Sequence, residues 1–169
     1  MIIVSVLIVI LFFVANKEEE IIIPKESIRF RIIPNSNSIK DLAIKEKVKD
    51  NLNREVNLLL KNDNIYDARK NIIKNKGKIE LMVNETFKEN SYNKPFKVKY
   101  GNNYFPEKTY KGVKYESGNY ESLVVEIGEA KGDNFWCVLF PPLCMMEQEK
   151  NSSEKEYKFF ISEIIDKYF

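Results

Sequence analysis

At 169 residues, 44% hydrophobic and 31% charged, the chain holds material for one globular domain once a greasy N-terminus is set aside. Lys and Arg number 27 against 25 Asp and Glu, a formal charge of +2, so the dominant basic footprint of a dedicated nucleic-acid binder is missing. Histidine is absent, which excludes Ser-His-Asp and Cys-His catalysis, the HExxH zinc site and the zinc finger built on two cysteines and two histidines.

From Ile2 to Ala15 every residue is apolar or small except Ser5. As a helix this stretch covers roughly 21 Å, short of a membrane core of about 30 Å. Its length suits the apolar region of a secretory signal, and Lys17-Glu18-Glu19-Glu20 stops it abruptly. No basic residue precedes Ile2, so the true start is expected upstream of Met1. Cleavage after Ala15 would put Phe13 where a small residue is preferred, which keeps an uncleaved anchor open as the alternative.

Residues 21–27 read as a short apolar patch and a linker, and Ile28-Arg29-Phe30-Arg31-Ile32 alternates as a strand with one buried face. Pro34 to Ser38 breaks the ladder, Ser38 and Asp41 resemble a helix cap, and a helix is predicted from Ile39 to about Asn62-Asp63-Asn64. A second helix runs from Tyr66 to about Glu89, with Gly77 its weakest link. After Pro95, Phe96, Val98 and Tyr100 alternate as a strand that should turn at Gly101-Asn102-Asn103.

Residues 109–115 and 120–127 read as the arms of a hairpin turning at Ser117-Gly118-Asn119. Residues 128–134 read as a loop, lacking the glycine spacing of a dinucleotide-binding turn. The most apolar strand, residues 135–140, is stopped by Pro141-Pro142. It suits a core strand better than an edge to which a partner adds its own. A charged linker over residues 145–156 leads to a final helix whose stripe is Tyr157, Phe160, Ile161, Ile164, Ile165 and Tyr168. That stripe is expected to dock on its own domain, with a membrane surface or a partner as alternatives. The order of elements is that of an α+β domain: strand, two-helix hairpin, antiparallel sheet and C-terminal helix.

Chemistry is sparse. Cys137 and Cys144 cannot close a four-thiolate site in one chain, and no cofactor or metal is expected. Seven positions apart, they fit either a disulfide worth about 2 to 3 kcal/mol or two reduced, buried thiols. Glu121, Glu126, Glu129 and Asp133 keep a carboxylate pair open by number alone, although a solvated surface explains them as well.

Three blocks in order now carry a resemblance. The first is Ile28-Arg29-Phe30-Arg31-Ile32-Ile33-Pro34-Asn35-Ser36-Asn37-Ser38 with the helix through Lys49-Asp50. The second is Tyr100-Gly101-Asn102-Asn103-Tyr104-Phe105-Pro106-Glu107-Lys108-Thr109-Tyr110. The third is Gly118-Asn119-Tyr120-Glu121-Ser122-Leu123 through Ile127-Gly128-Glu129, closing with Gly132 to Cys144. With these the chain resembles the stage II sporulation protein R family, intercompartmental signalling proteins of endospore-forming bacteria. Two departures stand out: members commonly carry an aspartate where Asn37 stands and a small residue where Pro34 stands.

The resemblance implies a protein made in the forespore, exported into the space between the two septal membranes and acting there without catalysis. The implied partner is a membrane-embedded aspartic protease of the mother cell that matures the precursor of sigma E; neither nucleic acid nor a small-molecule substrate is implied. Membrane contact is expected through the N-terminal apolar segment. The division expected is 1–16 as signal peptide or membrane anchor, 17–27 as linker and 28–169 as one exported domain. Tyr104, Phe105, Trp136, Phe160 and Ile164 are the candidates for partner binding. The alternatives are an exported hydrolase working through facing carboxylates and a structural septal protein.

Overall fold

A computed structural model describes residues 21–59, 64–145 and 153–169. The apolar segment read as signal peptide or anchor lies outside them. Among the described residues no helix is long and apolar enough to cross a membrane.

The larger sheet has four strands, β2 (Ile28–Ile33), β3 (Phe96–Phe105), β6 (Gly118–Ile127) and β7 (Phe135–Phe140), in the order β3-β6-β2-β7. Its centre is the parallel pair β2 and β6, with Arg29 opposite Ser122 and Ile33 opposite Glu126. Both outer pairings, β3 on β6 and β7 on β2, are antiparallel. The smaller sheet consists of β1 (Ile21–Ile22), β5 (Val113–Tyr115) and β4 (Lys108–Tyr110), in the order β1-β5-β4. Lys111 and Gly112, both at positive φ, make the two-residue turn between β4 and β5, a backbone shape that matches the twist of a tight hairpin.

Among the described residues three helices complete the α+β domain: α1 (Ile39–Leu59), α2 (Ile65–Glu89) and α3 (Glu154–Tyr168). Each of the three starts where a side chain satisfies a free N–H. Ser38 accepts from the Asp41 N–H at 3.2 Å, Asn64 from the Asp67 N–H at 3.0 Å, and Ser153 with Glu156 forms a full capping box.

Strand alternation sends Phe30, Ile32, Leu123, Val125, Ile127, Val98, Cys137 and Leu139 to one face of the larger sheet. There they pack on Ile44, Val48 and Leu52 of α1 and Ala68, Ile72, Ile79, Val83 and Phe87 of α2, all at helical spacing. A second core lies on the other side of β7, where Val138 meets Ile23, Val113 and Leu143, covered by Tyr157 and Ile161 of α3. The last helix therefore docks on its own domain.

Four sequence readings need correcting. Ile21 and Ile22, read as part of a short apolar patch ahead of a linker, form a strand, and Ile23 beside them enters the second core. The strand β3 does not turn at Gly101-Asn102-Asn103 but runs on to Phe105, paired with β6 throughout. The predicted hairpin of residues 109–127 is split: β4 and β5 pair with each other in one sheet, while β6 pairs with β3 and β2 in the other. Finally, β2 is buried on both faces, Arg29 retaining only 1% of its exposure.

The strand β7 is an edge of its sheet, yet residues 137–140 are each 7% exposed or less. The chain turns back after Pro141-Pro142 into a short 3-10 helix, Leu143–Met145, which a Cys137–Cys144 disulfide (Cα–Cα 5.5 Å) holds against the strand. This covers the edge that a partner strand would need.

Candidate partner-binding face

The second face of the larger sheet is built from an unusual alternation in β2, where Arg29 and Arg31 point away from the helices. A cation in that position must find a compensating group, because desolvation disfavours its charged form. Here the compensation is aromatic. The Arg29 guanidinium lies 3.3 Å from the Tyr120 ring centroid, with Phe105 at 5.5 Å and Tyr115 at 5.9 Å. Its Nη1 donates a long hydrogen bond, 3.4 Å, to the Glu116 carbonyl, and among the described residues its Nε and Nη2 have no partner. Burial lowers the Arg29 pKa from its ordinary value, the aromatic neighbours only partly offsetting it.

Arg31 continues the stack. Its guanidinium sits 4.8 Å from the Phe105 centroid and 5.7 Å from that of Trp136, which stands opposite it on β7. Phe105 and Trp136 meet edge to face at 5.0 Å, although they come from the two outer strands of the sheet. Such a contact requires the far end of the β3–β6 ribbon, which runs past the start of β2, to curl across the sheet. Lys108, at the start of β4, places its Nζ 5.5 Å from the Trp136 ring. Trp136 itself is half-buried.

The sequence candidates separate accordingly. Trp136 lies on this face and reaches solvent, whereas Phe105 is fully buried beneath it and has no surface to offer a partner. Tyr104 is 60% exposed but points to the opposite side of β3, so it is not gathered with Trp136. Phe160 and Ile164 lean on the second core with Ile165, making them packing residues first. Arg29, Arg31 and Lys108 were missed. The signal available for the first two was a pair of arginines at period two inside an apolar strand.

The four carboxylates do not form a catalytic pair. Glu121 and Glu126 lie on opposite faces of β6. Glu121 receives Arg69 at 2.8 to 3.0 Å and the Tyr100 hydroxyl; burial works to raise its pKa, but these donors together hold it below the ordinary value. Glu126 is bound by Lys99 at 2.6 Å and Glu129 by Lys131 at 2.7 Å. Asp133 contributes its backbone, its N–H donating to Asn37 at 2.6 Å and its carbonyl accepting from Lys45 at 3.1 Å.

That last contact belongs to a second cluster, which joins the segment after β2 to the loop between β6 and β7. Asn35 accepts from the Glu129 N–H at 3.0 Å, and the Gly132 N–H donates to the Pro34 carbonyl at 3.1 Å. Asp41 stands behind them, accepting from Asn35 at 2.8 Å, Ser36 at 2.5 Å and the Tyr92 hydroxyl at 2.6 Å.

No solved structure matches this chain. Stage II sporulation protein R of Bacillus subtilis (strain 168) is 31% identical over 142 residues, covering 83% of this chain and 63% of that protein. The chain thus spans somewhat under two thirds of that relative's length. A family model for stage II sporulation protein R matches residues 24–150, a span that includes the arginine-bearing strand, the curled β3–β6 ribbon and the disulfide. The chain belongs to the stage II sporulation protein R family.

Proposed function

We propose that the chain is an exported forespore-to-mother-cell signalling protein that activates a membrane-embedded aspartic protease, which in turn processes pro-sigma E. The family match over residues 24–150 carries this reading. The engagement of Glu121, Glu126 and Glu129 with cations supports a binding rather than a catalytic role. Activation without chemistry requires that the domain bind the active arrangement of the protease more tightly than the inactive one. The N-terminal apolar segment directs export and, if retained, tethers the domain at the membrane.

The test is maturation of pro-sigma E in cells that make the precursor and the protease, with and without this chain directed to the exterior. Processing is expected only when the chain is both present and exported. Unchanged processing despite confirmed export and folding would overturn the proposal.

A further inference from the structure

We infer that the face around Trp136 is where the partner docks, and that it takes an acidic segment of the partner, an apolar side chain resting on Trp136 and carboxylates on Arg31 and Lys108. The inference rests on the signalling role proposed above and specifies its interface. Three observations support it. First, Trp136 is a half-buried indole packed edge to face on Phe105 at 5.0 Å, the kind of part-buried aromatic that carries binding energy at protein interfaces. Second, Arg31 and Lys108 flank it at 5.7 and 5.5 Å, and neither has a carboxylate within 4.0 Å among the described residues. Glu126 acts on Arg31 through space but forms its ion pair with Lys99 at 2.6 Å, and Glu107, next to Lys108 in the chain, pairs with Lys114 at 3.8 Å.

Third, the positive charge beneath the face is compensated only in part. Arg29 keeps two buried nitrogens without partners and Arg31 one, Nε. Aromatic faces balance these cations only in part, so the site favours an incoming negative charge over a neutral or positive one. A strand-adding partner does not fit here, because the edge of β7 at residues 137–140 is already covered.

The experiment measures pro-sigma E processing against the amount of exported full-length chain in cells co-producing precursor and protease. Trp136→Ala is expected to raise the half-maximal amount at least thirty-fold, equivalent to about 2 kcal/mol. Lys108→Glu, at an exposed position where folding is not at stake, is expected to raise it about ten-fold. Lys74→Glu, on the exposed side of α2, serves as the control and should leave it unchanged. Wild-type processing with normal response to both Trp136→Ala and Lys108→Glu would overturn the interface while leaving the signalling role standing. No processing by the wild-type chain would overturn both. Binding of the wild-type chain to protein-free vesicles of anionic phospholipid, abolished by Lys108→Glu, would reassign the face to lipid and overturn the inference as well.

Discussion

Asn35 holds two parts of the chain at once: its side-chain carbonyl accepts the Glu129 N–H at 3.0 Å while its amide donates to Asp41 at 2.8 Å. The loop that leads into β7, and hence to Trp136, is thereby tied to the first turn of α1. Gly128 makes this approach possible. It sits at φ +57°, and a Cβ there would lie 2.2 Å from the Asn35 oxygen.

Replacing Gly128 with alanine should therefore cost about 2 kcal/mol or more, since strain and a clash with Asn35 add. Chemical denaturation of the purified domain measures it. An unchanged midpoint would mean that the Asn35 contact is dispensable.

Asp41 supplies a pH test. Burial works to raise its pKa, but the donors Asn35, Ser36 and Tyr92 outweigh it and hold the carboxyl well below the usual carboxylate range. A depressed folded-state pKa contributes stability above the unfolded value of about 4 and loses it as pH falls towards the folded one. Asp41→Asn should thus destabilise the domain by about 2 kcal/mol at neutral pH, with the gap narrowing below about pH 4. Urea unfolding at several pH values decides the matter, and a gap of constant size would show that the charge is not what the donors hold.

The opposite end of the pH scale responds to tyrosines. Burial, then the bond to Asp41, raises the Tyr92 pKa above its ordinary value, and burial with Glu121 does the same for Tyr100. Groups with raised folded-state pKa stabilise below the unfolded value of about 10 and lose that contribution as pH climbs through the folded one. Stability should decline above about pH 10, and less steeply in a Tyr92→Phe variant. Equal slopes in the two proteins would argue against the Asp41–Tyr92 bond.

Gly77 offers a gain instead. It lies inside α2, and a Cβ added there meets no atom within 4 Å. Gly77→Ala should stabilise by about 0.5 to 1 kcal/mol through backbone entropy alone. A lower melting midpoint would contradict the continuous helix across this position.

The disulfide is testable by loss. Replacing Cys137 and Cys144 together with alanine should remove about 2 to 3 kcal/mol in the loop-entropy account. Reductant should lower the stability of the wild-type domain by a similar amount and leave the double variant unmoved. A wild-type protein insensitive to reductant would count against the bond.

What was legible in the sequence depended on the range of the interaction. The first two helices were readable because Val48, Leu52, Ile72 and Ile79 repeat at the local period of a buried stripe. The pairing of residues 109–127 was not, because β6 takes its parallel partner from β2, far away in the chain, and local turn chemistry is silent about that. At Asn103 a turn-forming residue instead donates to Ser122 at 2.9 Å within the ladder, tertiary pairing overriding local preference. Trp136 was singled out by resemblance, but Lys108 joins it only through folding of the second sheet, which no spacing in the sequence announces.

The turn that follows β7 closes that edge along residues 137–140, so among the described residues β3 is the open margin of the larger sheet, and there exposed Lys97 and Lys99 alternate with inward residues. Growth of a filament needs two complementary margins on every copy. Two molecules joined through β3 would consume the last hydrogen-bonding edge of their larger sheets, so self-association along that sheet stops at a pair. In the exported role proposed above, that limit would protect the domain from becoming its own partner.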